Sequence, residues 1–120
     1  MTKTRLLIVL VVAVAVLFSA HVLRAQKAPE LIETQKVVLE NTFVRVIDVR
    51  VPAGFAEKLH SHGRGVTVAL TDYDNETRAP GAAWVKSHTK TGDVKWADPV
   101  SHETRNTGTT EQHVIRVELK

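Results

Sequence analysis

The sequence predicts an all-β domain, a small antiparallel sandwich or barrel, on three observations. After residue 26 no apolar repeat of helical period is sustained. Short runs rich in Val, Ile and Thr recur between turn residues, as in a fold of many short strands. The C-terminal run alternates along its whole length, with His113, Ile115, Val117 and Leu119 on one face and Val114, Arg116, Glu118 and Lys120 on the other. That is the pattern of a half-buried strand, with the apolar face expected inward. Closing the strands into a barrel also removes the unpaired edges that an open sheet would expose.

Taken in order, residues 26–35 mix Pro29 with charges and short apolar pairs and read as an N-terminal arm or lead-in strand, leaving residues 36–120 for the barrel. Lys36 to Val51 reads as two short strands around a break at Glu40 and Asn41. Pro52 to Gly54 marks a turn into a strand that carries His60 and His62. Gly65 to Asp72 alternates as a further strand. Asp74-Asn75 and Pro80-Gly81 are expected to bracket a variable connection, with Trp84 to His88 as the returning strand. Gly92 and Asp93 form a tight turn into Val94 to Trp96.

Residues 1–25 have the layout of a signal peptide: Lys3 and Arg5, an unbroken apolar run from Leu6 to Phe18, then small and polar residues up to a cleavage site placed after Ala25. The alternative is an uncleaved anchor over Leu6 to Leu23, close to the roughly 20 residues that cross a bilayer. An exported protein is therefore expected, periplasmic or extracellular, with no membrane association after cleavage. The segment carries three of the sixteen basic residues and none of the thirteen acidic ones, so the remaining chain is formally neutral. The high sequence pI belongs to the leader, and no basic surface is left for nucleic acid. Cysteine is absent, which excludes disulfides, thiol nucleophiles, Cys-bound zinc and iron–sulfur clusters.

The chemistry is concentrated in Gly54, His60 and His62, and in Gly92, His102 and Asn106. In a strand, residues two apart lie on one face about 6.5 Å apart, so the imidazoles of His60 and His62 can converge on one ion at about 2.1 Å from each nitrogen. His102 is the candidate third donor. Imidazole suits Fe, Zn, Ni and Cu better than Mg or Ca, so a divalent transition metal is the expected cofactor. Three neutral ligands leave the ion's charge uncompensated, and the site should attract a small, anionic molecule.

These two segments resemble the paired motifs of the cupin superfamily, small jelly-roll β-barrels that hold a metal in the barrel mouth. Gly54, His60 and His62 fit the first motif without a gap, and Gly92, His102 and Asn106 match the second. The resemblance spans residues 54 to 106. It departs from the family where a Glu ligand usually follows the second histidine, since Val66 and Thr67 stand there, and where Asp98-Pro99-Val100 fills a turn that usually holds Pro-x-Gly. It implies a structural role for Gly54, Gly92 and Asn106, and a homodimer formed through edge strands or the arm from Ala28 to Leu39. It also implies either zinc with a hydroxide-generating water, or Fe(II) in a site like that of three-His cupin dioxygenases.

Arg64, Trp96 and His113 are the candidates for substrate contact, and no general acid or base is evident inside the barrel beyond the histidines. Function is expected to be either that of a metal-dependent small-molecule enzyme, dioxygenase-like, or that of a non-catalytic envelope module that binds or senses a small ligand or ion.

Overall fold

Nine strands build the described part of the chain, residues 27–120 of a computed structural model. The signal-peptide or anchor segment lies outside the described residues, as does Gln26. The strands are β1 (Gln35–Glu40), β2 (Val44–Val51), β3 (Ala56–His62), β4 (Gly65–Ala69), β5 (Tyr73–Arg78), β6 (Val85–Thr89), β7 (Val94–Ala97), β8 (Val100–Asn106) and β9 (Gln112–Leu119). They form two antiparallel sheets with strand orders β1-β2-β9-β4-β7 and β3-β8-β5-β6. The order is that of a jelly roll: neighbours in a sheet are mostly distant in sequence, so residues far apart in the chain meet across the interior.

Most elements fall where the turn residues place them. Asn41 accepts from the backbone N–H groups of Phe43 and Val44 through Oδ1, at 2.8 and 3.0 Å, and so sets the β1–β2 turn. Gly54 and Gly92 take φ of 77° and 87°, left-handed values that a side chain would resist. Asn106 is 1% exposed and ties three segments together. Its Nδ2 donates to Val51 O and Thr110 O at 3.0 and 2.8 Å, and its Oδ1 accepts from Gly108 N. Its backbone also pairs with the first motif, since Gly54 N donates to Asn106 O and Asn106 N donates to Phe55 O.

Two elements differ from expectation. Asp74 and Asn75 are not part of a connection but lie within β5, an inner strand between β8 and β6. The strand has a polar sequence because its neighbours are polar: Asn75 faces Asn106, and Glu76 faces Arg105. The second difference is the facing of β9. Gln112, Val114, Arg116 and Glu118 are buried, while His113, Ile115 and Val117 are only half-buried and Leu119 is exposed. The apolar face of the last strand points out of the barrel.

The neighbouring strand β2 carries aliphatic residues on both faces. In β2, Arg45, Ile47, Val49 and Val51 point inward and Val44 and Val46 outward. The apolar core is correspondingly small, a cluster of Ile47, Val49, Val51 and Val114 with Phe55 and Tyr73 packed on it. Beside it the interior carries charge. Arg45 lies opposite Glu118 across β2 and β9 and donates to Glu118 Oε2 through Nη2 at 2.6 Å. Arg116 donates to Glu118 Oε1 at 3.2 Å and to Gly63 O at 2.8 Å.

Among the described glycines, Gly65 is the one pressed hardest against a neighbouring backbone. A Cβ there would stand 1.8 Å from Val117 O, a backbone atom with no freedom to yield. Gly65→Ala is expected to force β4 away from β9 and to cost about 3 kcal/mol or more, in the upper range of overpacking. Urea denaturation followed by circular dichroism measures it; unchanged stability would show that the two strands are not held at this distance.

Candidate metal centre

β3 and β8 position the three histidines. His60 lies directly opposite His102 in the register, and His62 follows two residues on along the same strand face. The ring centroids are 4.8 Å apart for His60–His62 and for His60–His102, and 5.2 Å for His62–His102. One nitrogen from each ring lies within 4.8 Å of the others. Donors at about 2.1 Å from one ion stand about 3 to 3.5 Å apart, so small ring rotations bring this set to bonding distance.

The surroundings fit a metal. His60 Nδ1 lies 2.7 Å from Lys58 O; a carbonyl can only accept, so Nδ1 carries the proton and Nε2 keeps its lone pair for an ion. His62 Nδ1 is buried without a hydrogen-bond partner, 3.5 Å from Glu118 Oε1. This is just outside hydrogen-bond reach, in the place where a carboxylate orients a metal-bound imidazole. Burial, reinforced by the charge of Arg116 and the neighbouring imidazoles, lowers the pKa of His62 to about 2. Burial, His60 and Arg116 lower that of His102 to about 4. Both rings are therefore neutral at pH 7, the state a metal ligand requires.

The histidines open on an interior cavity of about 100 Å³. Glu57 shares its wall and is 6% exposed. Burial pushes its pKa up, against the opposing effects of the Thr34 hydroxyl and of His60. Thr34 Oγ1 donates to Glu57 Oε1. Gln35 Nε2, Thr104 Oγ1 and Gln112 Oε1 line the same cavity, and each is a buried polar atom with no partner. Such atoms are costly unless a ligand or water satisfies them. Arg116 completes the wall, its guanidinium lowered by burial below its ordinary pKa.

Glu57 corrects the expectation that the interior holds no acid or base beyond the histidines. It lies three residues from His60, which in a regular strand would put it on the opposite face. A bulge between Glu57 and His60 sets Lys58 and Leu59 opposite the single residue Glu103, and Glu57, His60 and His62 all turn inward. The polar inner face of β9, with Gln112, Arg116 and Glu118, was legible as alternation, but its orientation was not.

The three candidates for substrate contact do not reach the cavity. Trp96 pairs with Val66 in the register, faces outward at 57% exposure, and donates through Nε1 to Asp98 Oδ1 at 3.0 Å. His113 lies on the outward face of β9, its Nε2 2.6 Å from Asp48 Oδ1. Arg64 is exposed in the β3–β4 turn. In each case strand parity or the turn fixes the side chain outside. Arg105 pairs with Glu76 and Arg78 with Glu103, and the two guanidiniums stack on Trp84 at 4.2 and 4.5 Å from its ring centre.

Among solved structures, a cupin domain from Bordetella pertussis Tohama I is 26% identical to this chain and covers 80% of it and 99% of its own length, with a TM-score of 0.66. The domain has the cupin fold. Two further cupin-like relatives share the architecture at lower identity. A double-stranded β-helix protein from Klebsiella pneumoniae is 22% identical, covering 78% of this chain and 77% of its own, with a TM-score of 0.53. A cupin 2 conserved barrel protein from Salinispora arenicola is 18% identical, covering 78% and 82%, also at 0.53. No family model matches the sequence, and no curated protein does. In this cupin the three histidines form a cluster compatible with a divalent metal.

Neutral burial of His62 and His102 gives a pH signature. Their folded pKa values lie below the ordinary imidazole value of about 6.5, so the unfolded chain takes up protons that the folded domain refuses. Stability of the metal-free protein should fall as pH drops below about 6.5, by up to about 1.4 kcal/mol per pH unit for each ring. Glu57 shifts the opposite way, because burial raises its pKa, and so offsets part of this loss. Urea titrations at several pH values measure the slope; a flat profile would contradict the neutral, buried state.

Proposed function

We propose that this cupin is an exported, metal-dependent enzyme of the oxygenase kind, acting on a compact, oxygen-rich anion inside the barrel. One observation carries the reading: the three imidazoles share a cavity of about 100 Å³ with a protonatable carboxyl and with three buried polar atoms that lack partners. A redox-active divalent ion such as Fe(II), held by His60, His62 and His102, supplies open coordination positions and electron-transfer capacity when bound.

The chain's own residues supply the rest. Arg116 adds a buried positive charge to a site without a carboxylate ligand, which favours an anion. Glu57 Oε1 is engaged by Thr34, so a proton held by this carboxyl resides on Oε2, available to donate to a substrate oxygen or to be recovered from it. Gln35 Nε2 is a donor, Gln112 Oε1 an acceptor and Thr104 Oγ1 either, which suits a molecule bearing both hydroxyl and carbonyl or carboxylate oxygens. Export is supported by the signal-peptide layout of residues 1–25.

The test uses the full-length chain without a polyhistidine tag. Elemental analysis is expected to find stoichiometric transition metal after loading, and Fe(II)-loaded protein to consume oxygen with at least one of a panel of diketones, thiols and catechols. His60→Ala and His102→Ala should lose both properties. Glu57→Gln should keep the metal and lose turnover by about a hundred-fold or more, as for removal of a general acid or base. Metal and ligand binding without turnover would assign the chain to the binding modules instead, and failure to retain metal after reloading would end the reading.

A further inference from the structure

We propose, resting on the metal-centre reading above, that the molecule this cavity takes is a short hydroxy acid of two or three carbons, bound in one direction. Its carboxylate lies at the histidine end and its hydroxyl at the other. At the histidine end stands Arg116, 6% exposed. Its Nε is taken by Glu118 and its Nη2 by Gly63 O, which leaves Nη1 for an anion. His60 and His102 face each other across β3 and β8, and the next inward pair on that ladder is Glu57 with Thr104. Two residues of β8 separate the two levels, about 6.8 Å.

The second level calls for a hydroxyl. Thr104 Oγ1, Gln112 Oε1 and Gln35 Nε2 line the cavity without partners, and Thr104 and Gln112 are 3% and 8% exposed. Gln112 Oε1 only accepts, Gln35 Nε2 only donates, and Thr104 Oγ1 does either. A hydroxyl donates and accepts at once, so it gives its proton to Gln112 Oε1 and takes one from Gln35 or Thr104. A second carboxylate has no proton for Gln112 Oε1, an ammonium has no lone pair for Gln35, and a methyl serves neither. Water would satisfy these atoms one at a time. They share one cavity with the histidines, however, so a ligand held at the ion's open positions reaches them.

Size sets the length of the molecule. The cavity is about 100 Å³, smaller than the cavity of about 150 Å³ that holds a benzene ring, so it admits about five or six heavy atoms. That is a carboxylate, one or two further carbons and one hydroxyl. Val49 and Val114 form an aliphatic part of the wall. They suit a methyl or methylene and offer nothing to the extra hydroxyls of a sugar acid.

Isothermal titration calorimetry of the full-length chain, loaded with zinc as a redox-inert ion, tests this with glycolate, acetate and ethylene glycol. Glycolate is expected to bind at least about ten-fold tighter than acetate, which lacks the hydroxyl, and than ethylene glycol, which lacks the charge. Thr104→Val and Gln112→Met should each weaken glycolate about ten-fold and leave acetate unchanged. Each should also raise the thermal midpoint of the ligand-free protein, because it removes a buried polar atom that has no partner; a residue with a merely structural hydrogen bond would lower it. Zinc-loaded protein that binds glycolate no better than acetate, or a glycolate affinity that both variants leave unchanged, would overturn the inference while the metal reading stands. A preference for glycolate in protein that retains no metal would support the hydroxy acid at Arg116 and end the metal reading instead.

Discussion

Glu118 is a carboxylate 3% exposed in the interior of a 120-residue protein, and the rest of the structure is arranged around it. It accepts from Arg45, from Arg116 and from the backbone of Gly63, and stands beside His62. A buried carboxylate with fewer partners would be protonated or expelled. With these partners it fixes Arg116 at the cavity wall and the β3–β4 turn at Gly63, and stands 3.5 Å from Nδ1 on the edge of the His62 ring. Buried ion pairs of this kind seldom add net stability over a well-packed apolar core. Their presence is explained by what they position.

The consequence is a barrel divided lengthwise. At one end Ile47, Val49, Val51 and Val114, with Phe55 and Tyr73, make a small apolar cluster, and Asn106 seals the strand ends beside it. At the other end histidines, Glu57, Arg116 and Glu118 occupy positions that a simpler β domain fills with aliphatic side chains. Because Gln112, Arg116 and Glu118 occupy the inside of β9, the alternation of that strand puts Ile115, Val117 and Leu119 on the outside. The polar cavity and the apolar outer face are thus two results of one choice of strand facing.

This choice is where the sequence became hard to read. The all-β class, the turns at Asn41, Gly54 and Gly92, and the coming together of His60, His62 and His102 followed from turn chemistry, two-residue spacing and motif resemblance. Alternation in β9 was plain, but a periodic pattern does not say which face is wet, and the usual assumption that the apolar face is inside fails when the interior is a polar site. Glu57 was hidden by a β-bulge, which breaks the two-residue rule used to group His60 with His62. β5 was hidden by its composition, since Asp74 and Asn75 are turn residues in most settings. Gly65 looked like the start of a strand, and only the approach of Val117 explains why nothing larger fits. Trp96 shows the same difficulty in reverse: a tryptophan in a small domain is usually core, but its register with Val66 sets it outside.

The account rests on three imidazoles surrounding one ion in this interior. X-ray absorption at the metal edge of the loaded full-length protein measures that directly. The expected spectrum has nitrogen neighbours at about 2.1 Å and outer-shell scattering from three imidazole rings, falling by one ring in His102→Ala. A first shell without imidazole, or a spectrum unchanged by His102→Ala, would contradict it.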